Sequence, residues 1–301
     1  MAAPDVAIVV INWNTRDLLL RCIQCVYDEC AGLLLEVIVV DNASRDDSVL
    51  VLRERFPQVH IIENHENVGF ARANNQGVRA SNAPYALLLN SDAFLTEGAL
   101  QVMLDLIRRE PRAALVGAQL RNADGSFQAS HTPFPNLWRE FLILSGIGRA
   151  LKGPWYPSRR NEVAKGPQIV DYVDGACMLV RRDVYLQLGG LDEEYFMYSE
   201  EVDLCLRLKQ RGWQVWYQPA AQVVHLGGAS SASRRVERER EMYRSRLRFY
   251  RKHYGAFSAR VFKLQLFALT AVKSAVHSIR RLATRGHAGR RTVPLRDILV
   301  L

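Results

Sequence analysis

The chain has 301 residues, of which 49% are hydrophobic and 24% charged, so it is long enough for one or two folded domains and is not a disordered polypeptide. Its five Cys include one C-x-x-C pair, Cys22 and Cys25, without a second pair. This spacing argues against a disulfide framework or a structural zinc site, and we expect buried thiols. The N-terminal residues lack the basic region of a signal peptide, which with reduced Cys predicts a cytoplasmic protein.

The net charge of +9 is unevenly distributed along the chain. Residues 1–233 carry 22 Lys and Arg against 27 Asp and Glu, whereas residues 234–301 carry 18 against 4. An acidic body with a basic C-terminal segment predicts that the C-terminus alone meets a polyanion, either a nucleic acid or an anionic membrane surface.

The first third of the chain alternates between strand and helix patterns. The predicted strands are short apolar runs rich in β-branched residues: Val6–Asn12, Glu36–Val40, Val59–Glu63 and Tyr85–Leu89. The segments between and after them have helical spacing: Thr15–Tyr27, Arg45–Phe56, Gly69–Ala80 and Gly98–Arg109. Strands separated by helices of this length predict right-handed βαβ units, and hence an α/β fold with a mostly parallel, Rossmann-like sheet flanked by helices.

The remaining two thirds have a less regular pattern. Residues 116–167 are rich in Gly, Pro and Trp, with one short apolar helix near Leu137–Ile147. The elements predicted after them are strands at Val170–Val180, Gln214–Tyr217 and Gln222–Val224 and helices at Arg182–Leu188, Ser199–Arg211, Arg234–Tyr254 and Arg260–Arg281. A basic tail, Gly286–Leu301, follows.

Polar clusters follow three of the first four predicted strands. They are Asn12-Trp13-Asn14, Asp41-Asn42 and Asn90-Ser91-Asp92. In open α/β sheets, ligands bind beyond the carboxyl ends of the strands. The chain has neither G-x-G-x-x-G after its first strand nor a P-loop motif, so these clusters predict a nucleotide site without a glycine-rich phosphate cradle.

Five ordered segments together carry a family resemblance. They are VVDNAS at 39–44, NVGFARANNQG at 67–77, LLLNSDA at 87–93, VDGACMLVRRD at 173–183 and FMYSEEVDLCLR at 196–207. Over residues 5–230 the chain resembles family 2 glycosyltransferases of GT-A fold, and within them most resembles bacterial rhamnosyltransferases. The resemblance implies a nucleotide-sugar donor, a divalent metal ion (Mg²⁺ or Mn²⁺) and inversion at the anomeric carbon.

The resemblance places the metal at Asp92 and His225. Asn90-Ser91-Asp92 matches the family's Asp-x-Asp motif with Asn in the first position, and a carboxylate at a strand end suits Mg²⁺ or Mn²⁺. The alternative for Asp92 is a cap on the next helix, and the alternative for His225 is a purely structural role.

The resemblance also assigns the donor contacts. Asp41 is expected to accept a hydrogen bond from a pyrimidine base, although Asp is also a common turn residue. The other expected donor contacts lie at strand ends or along the third helix: Asn12, Asn14, Asn67, Gly69, Phe70, Arg72, Asn75 and Asn90.

The general base is expected in the pair Glu200-Glu201. Inverting transfer needs a carboxylate that takes the proton of the attacking hydroxyl. The family's Asp corresponds to Glu201, one methylene longer, and Glu200 is the second candidate. Asp174 and Gly175 match the acceptor-side loop. The alternative reading is that acidic residues in a first helical turn only complement the helix dipole.

These residues predict a catalytic domain over residues 1–230, with a nucleotide-sugar half at 1–115 and an acceptor half at 116–230, and a basic helical extension at 231–301. The activity that the resemblance implies is transfer of rhamnose from dTDP-rhamnose to a glycan or polyprenyl-diphosphate-linked acceptor in cell-surface polysaccharide synthesis. The alternatives are a UDP-sugar donor (galactofuranose or an N-acetylhexosamine) and a non-catalytic module that binds sugar nucleotides or polyanions.

The extension contains an amphipathic segment. Its apolar residues recur at steps of three and four: Phe262, Leu266, Leu269, Val272, Val276 and Ile279. Lys263, Lys273 and His277 interrupt it, so the segment is predicted to lie on the anionic cytoplasmic face of the membrane, not to span it or to bind nucleic acid. The alternative is packing on the catalytic domain or on a second copy in a homo-oligomer.

Overall fold

The computed structural model describes residues 3–30, 32–153, 156–158, 166–228 and 235–283, with the side chains of the last helix to residue 276. The predicted basic tail therefore lies outside the described residues. By its internal contacts the chain forms two compact units. The first unit comprises residues 1–134, 158–196 and 200–230, and the second comprises 135–157, 197–199 and 231–301. The domain boundary near residue 230 stays a prediction.

The first unit is built on a mixed sheet in the order β3-β2-β1-β4-β10-β6-β11-β5, with β8 beside β11. The strands, including the separate pair β7-β9, are β1 Val6–Asn12, β2 Leu35–Asp41, β3 His60–Glu63, β4 Tyr85–Asn90, β5 Ala93–Leu95, β6 Ala113–Arg121, β7 His131–Thr132, β8 Gln168–Ile169, β9 Tyr172–Val173, β10 Cys177–Arg181 and β11 Gln214–His225. The first four sheet strands pair in parallel, as predicted, whereas β10 runs antiparallel to both neighbours.

Both units contain helices. They are α1 Arg16–Glu29, α2 Ser48–Arg55, α3 Phe70–Ala80, α4 Ala99–Arg109, α5 Leu137–Ser145, α6 Ile147–Lys152, α7 Arg182–Gln187, α8 Glu200–Gln210 and α9 Arg235–Ala283. Of these, α5, α6 and α9 belong to the second unit. The predicted α/β class with a C-terminal helical segment is therefore confirmed.

Strand β1 shows why the sheet needs helices on both faces. Val6, Ile8 and Val10 pack into one hydrophobic core with α1 and α4, while Ala7 and Val9 pack into a second core with α3 and α8. Successive side chains of a strand point to opposite faces, so an uninterrupted apolar run is buried on both sides. The five Cys are free thiols, and all but the partly buried Cys25 are fully buried, as expected.

The predictions for the second half need three corrections. Val170–Val180 is not one strand, because a turn at Asp174 separates β9 from β10, with the Ala176 amide donating to the Asp174 carboxylate. The two predicted last strands are one strand, β11, whose register against β6 shifts between Gln218 and Gln222. Strand β6 was missed, because its Ala and Gly residues weaken the β-branched signal.

The second unit contains a long helix with one break. Within α9, Gly255 has a non-helical backbone with φ of 83°, in the region that glycine adopts without a Cβ clash. On its two sides, the rings of Tyr250 and Phe262 stack at 4.8 Å. Arg246 of α9 forms an ion pair of 2.6 Å with the buried Glu140 of α5.

Candidate active site

The carboxyl ends of β1 and β2 share one buried hydrogen-bond network. Asn12 and Asp41 are register partners in the parallel pair β1-β2. The Asn12 amide donates to Asp41 Oδ1 at 2.7 Å and to Ser44 Oγ at 3.0 Å. The Ser44 amide in turn donates to Asp41 Oδ2 at 2.9 Å. These two predicted donor contacts therefore lie together, and each holds the other in place.

Thr15 joins this network to the end of β4. Its hydroxyl donates to Asn12 Oδ1 at 2.8 Å and lies 2.9 Å from the hydroxyl of Ser91. Asn14, with a left-handed φ of 53°, accepts a hydrogen bond from the backbone amide of Arg45 at 2.7 Å. Three strand ends are thus joined through side chains, as the pattern of polar clusters predicts.

Asp92 and His225 face each other where β5 pairs with β11. The Asp92 Oδ1 to His225 Nε2 distance is 3.4 Å, and Ala93 is the register partner of His225. Because β5 separates Asp92 from α4, and Gly98 directly precedes that helix, Asp92 is not a helix cap. Gln128 Oε1 lies 2.7 Å from His225 Nδ1 and fixes the other side of the ring.

Electrostatics couple this pair to Asp174. Burial disfavours the imidazolium of His225, but the hydrogen bond with Asp92 and the charges of Asp92 and Asp174 outweigh it and raise the pKa of His225. Both ring nitrogens face an oxygen acceptor, which suits the doubly protonated ring. When His225 is protonated, its charge neutralises that of Asp92. When His225 is neutral, its ring offers a nitrogen lone pair that can bind a metal ion.

The residues around Asp92 fit a divalent cation. Asn90 Oδ1 is buried, and among the described residues it has no hydrogen-bond partner, although Asn90 Nδ2 lies 3.5 Å from His225 Nε2. A carboxylate, an amide oxygen and an imidazole suit Mg²⁺ or Mn²⁺. Within the described part of the chain, no group of three or more His, Cys, Asp or Glu could enclose a metal ion. An open site of this kind leaves coordination positions for phosphate oxygens and water.

Glu200 and Glu201 open helix α8. Glu200 is only 4% exposed, and its Oε2 has no hydrogen-bond partner in the described part of the protein. Burial, together with the charges of Glu201, Asp174 and Asp203, raises the pKa of Glu200 well above its usual range. Asp203 pairs with Arg207 one turn later at 2.6 Å, a spacing at which side chains of a helix meet.

Glu201 lies beside the acceptor-side loop. A Cβ added to Gly175 would contact the Glu201 side chain at 3.7–4.0 Å, so the two residues are neighbours. Glu201 is partly exposed. Asp174 is also reached by solvent, but burial of its carboxyl among neighbouring protein atoms disfavours the charged form and raises the pKa of Asp174. The structure therefore brings the predicted base and the predicted acceptor-side residues together.

The start of α3 is used mostly for packing within the first unit. Gly69, with φ of 87°, is approached so closely by the Phe196 backbone that a Cβ would lie 2.7 Å from its carbonyl oxygen. The Phe70 amide donates to this same oxygen at 2.8 Å, and Asn67 Oδ1 accepts from the Gly69 amide at 3.0 Å. Arg72 forms an exposed ion pair with Glu193. These donor contacts stay predictions.

Asn75 has a structural role in this unit. Its Oδ1 accepts from the Tyr185 hydroxyl at 2.6 Å and from the Leu191 amide at 3.0 Å. Its amide donates to the Leu191 carbonyl at 2.8 Å and to Glu193 at 3.0 Å. Because these bonds fill the hydrogen-bonding capacity of the side chain, we leave Asn75 out of the proposed donor site.

Gln128 and Thr15 are site residues that sequence reasoning missed. Thr15 directly follows the first polar cluster, so its position at a strand end was a usable signal. Gln128 precedes β7 in the irregular middle of the chain, and no sequence spacing connects it to His225.

Comparison with known proteins places this geometry in a family. The family described as "Glycosyl transferase family 2" matches residues 7–189. An N-acetylglucosaminyl-diphospho-decaprenol L-rhamnosyltransferase of Mycobacterium tuberculosis is 32% identical over 209 residues, which cover 64% of this chain and 66% of that protein. Rhamnosyltransferase WbbL of Escherichia coli K12 is 30% identical over 167 residues, covering 52% and 60%. The matches thus span less than two thirds of each relative.

A solved structure supports the fold. The mannosyltransferase PcManGT from Pyrobaculum calidifontis, in complex with GDP-Man and Mn²⁺, superposes with a TM-score of 0.58 at 16% identity, covering 100% of this chain and 79% of that one. This similarity concerns the fold alone. With the family match over more than half of its length, the chain belongs to glycosyl transferase family 2 and has the GT-A fold.

Proposed function

We propose that this protein is an inverting, metal-dependent glycosyltransferase that transfers rhamnose from dTDP-rhamnose to a lipid-linked glycan in cell-surface polysaccharide synthesis. The observation that carries the proposal is the cluster of Asp92, His225, Asp174 and the pair Glu200-Glu201 around one edge of the sheet. The two rhamnosyltransferase relatives support the choice of sugar, and the mycobacterial relative supports a polyprenyl-diphosphate acceptor.

Glu201 would act as the general base. In a single displacement, the acceptor oxygen forms a bond to the anomeric carbon while the bond from that carbon to the diphosphate oxygen breaks. The acceptor proton passes to the Glu201 carboxylate. The neighbouring Glu200, whose raised pKa keeps it protonated to higher pH, leaves Glu201 as the ionised member of the pair. Gly175 next to Glu201 leaves space for the acceptor sugar.

Asp92 would hold the cation, with His225 and Asn90 beside it. A divalent cation at this position offsets the charge of the departing nucleoside diphosphate. Asp41, Asn12 and Asn14 would bind the nucleoside, because they lie at the carboxyl ends of β1 and β2, where open α/β sheets bind ligands. Their shared network keeps the Asp41 carboxylate oriented before the donor arrives.

The proposed location is the cytoplasmic face of the cell membrane, as a peripheral protein. By length and composition alone, one described helix, within Val236–Val276, could also cross a membrane. A polyprenyl-linked acceptor presents its sugar at the membrane surface, so a peripheral enzyme would meet it there.

A transfer assay tests the proposal. Purified full-length protein is incubated with dTDP-rhamnose and a short-chain polyprenyl-diphosphate-GlcNAc, with Mn²⁺ or with EDTA, and the product is analysed by mass spectrometry and NMR. We expect a rhamnosylated product whose anomeric configuration is opposite to that of the donor. This product should form with Mn²⁺ and not with EDTA. Turnover with a UDP-sugar alone would refute rhamnose as the sugar. Stabilisation by dTDP-rhamnose without any turnover would favour a binding module instead.

A further inference from the structure

The predicted membrane face of α9 is buried only in part: Phe262 and Leu266 are buried, whereas Val272 and Val276 are 59% and 42% exposed. After Gly255, the side chains of Ala259, Phe262, Leu266 and Thr270 are 0–8% exposed and face the interior of the second unit. Phe262 stacks on Tyr250, and Leu266 packs with Tyr243. The residues predicted to enter the membrane therefore include two, Phe262 and Leu266, that the second unit uses as its own core.

A second apolar stripe lies on the opposite side of the same helix. Its members recur at steps of four and three, and they are Phe257, Val261, Leu264, Ala268 and Val272. At about 100° per residue they fall within an arc of about 80°, centred roughly opposite the buried face. Phe257, Leu264 and Val272 are 76%, 68% and 59% exposed. The stripe is about 23 Å long and contains no charged residue.

Exposed apolar side chains are concentrated in the second unit. The four most exposed large apolar side chains among the described residues are Leu151, Phe257, Leu264 and Trp138, and all of them belong to this unit. Exposed apolar surface of this kind marks an interaction site. Trp is typical of side chains that lie at the boundary between lipid and water.

The charge around the stripe selects the kind of partner. Among the residues whose side chains are described, 242–276 contain 8 Lys and Arg and no Asp or Glu. Two copies of this chain meeting through the stripe would bring these cations together, which electrostatic repulsion opposes. An anionic lipid bilayer has negatively charged headgroups above an apolar acyl-chain region, so it can bind cations and apolar side chains together. Each cation near such a surface adds affinity.

We propose that the stripe from Phe257 to Val272 docks on an anionic lipid bilayer, with α9 lying in the plane of the interface. The helix is not expected to span the bilayer, because its other face is occupied by the core of the second unit. The inference deepens the proposed function by naming the surface through which the enzyme meets a lipid-linked acceptor.

Vesicle co-sedimentation of the full chain tests the inference. The variant F257S/L264S removes two exposed apolar side chains, and L34S/L50S is its matched control, because Leu34 and Leu50 are 52% and 60% exposed in the first unit. On vesicles of phosphatidylcholine with 30% phosphatidylglycerol, we expect F257S/L264S to bind at least tenfold more weakly than the wild type, and the control to bind equally. Binding of the wild type should weaken with salt and be lost on pure phosphatidylcholine.

Three outcomes would overturn the inference. F257S/L264S could sediment with vesicles as well as the wild type. A concentration-dependent dimer, lost in F257S/L264S by sedimentation velocity, would identify a second copy as the occupant. Protein that resists extraction by high salt and alkaline carbonate would be integral. Transfer to a water-soluble acceptor analogue should be the same in F257S/L264S and wild type, so failure of docking and failure of the proposed function are distinguishable.

Discussion

The two sides of the candidate site differ in how their polar groups are paired. On the parallel side, the buried Asn12 and Asp41 are hydrogen-bonded to each other and to Ser44. On the other side, called the antiparallel side because it surrounds Asp92 and His225 where β5 pairs with β11, Glu200 Oε2 and Asn90 Oδ1 are buried without a partner among the described residues. Leaving a buried polar group unsatisfied costs about 1–3 kcal/mol.

This difference separates a structural scaffold, the hydrogen-bonded network of Asn12 and Asp41, from the side chains that are available for a ligand or for the reaction. A satisfied network stabilises the fold and holds its side chains in one position, whereas like charges and unpaired oxygens lower stability unless a ligand binds them. Asp92, Asp174 and Glu200 are close enough to influence each other's pKa or that of His225. Substitutions on the antiparallel side should therefore reduce activity more than stability, whereas substitutions in the Asn12-Asp41 network should reduce both donor binding and stability.

The largest expected effect is that of Asp92→Ala. Without this carboxylate the cation bound with the donor loses its only proposed anionic protein ligand, and several kcal/mol of transition-state stabilisation are lost, so turnover should fall at least about 10³-fold. Calorimetry should also show that Mn²⁺ no longer strengthens the binding of the nucleoside diphosphate. The matched control is Asp105→Ala, which removes an exposed carboxylate on α4. Near-normal turnover of Asp92→Ala that is still stimulated by Mn²⁺ would refute the metal assignment.

The next largest effect is expected for Glu201→Gln. Loss of a general base lowers kcat by about 10²–10⁴, while donor affinity and the unfolding midpoint should stay unchanged because the side chain is partly exposed. Stopped assays with dTDP-rhamnose, in parallel with Glu200→Gln, measure this loss. An active Glu201→Gln beside an inactive Glu200→Gln would exchange the two roles.

Asn75→Ala should have the opposite signature. The substitution leaves the Tyr185 hydroxyl and the backbone of Leu191 without their side-chain partners, at about 1–3 kcal/mol for each buried group. Urea unfolding should show a loss of about 3 kcal/mol, with donor affinity unchanged at temperatures where the variant is folded. A loss of donor affinity without a loss of stability would instead make Asn75 the ligand contact that its motif predicts.

The meeting of Asn12 and Asp41 could be predicted from sequence, because parallel strands present their carboxyl ends at one edge of the sheet. The partnership of Asp92 and His225 could be expected only from the family resemblance, since 133 residues separate them. Gln128 could not be predicted. It contacts His225 only because of how an irregular segment packs, and no periodicity describes that packing.

For Gly69 and for α9, the sequence pattern was recognised correctly, but it did not determine what the residues contact. Gly69 was expected to contact the nucleotide-sugar donor, but the space beside its Cα is occupied by the Phe196 backbone. In α9 the helical period was correct, yet both sides of the helix carry apolar residues. Only the packing of Tyr243 and Tyr250 decides that Phe262 and Leu266 are the buried ones.

The smallest expected effect concerns the stability of Glu200→Gln across pH. Folding raises the pKa of Glu200 above its ordinary value of 4.5, through burial and the charges of Glu201, Asp174 and Asp203. The native state therefore keeps a proton at pH values where the unfolded chain has lost it. The free energy of unfolding of the wild type should accordingly fall as pH rises from about 4.5 through that range. Glutamine does not titrate, so the variant escapes this loss.

Urea unfolding at pH 5, 6, 7 and 8 checks this expectation. The variant should gain stability relative to the wild type as pH rises, and the difference should be smallest at pH 5. Glu97→Gln is the control, because that carboxyl is exposed on the surface and its substitution should leave the pH profile unchanged. Parallel curves for wild type and Glu200→Gln would mean that folding does not raise the pKa of the Glu200 carboxyl. The antiparallel side would then be as well paired as the scaffold, and Glu201 would no longer be the obvious ionised member of the pair.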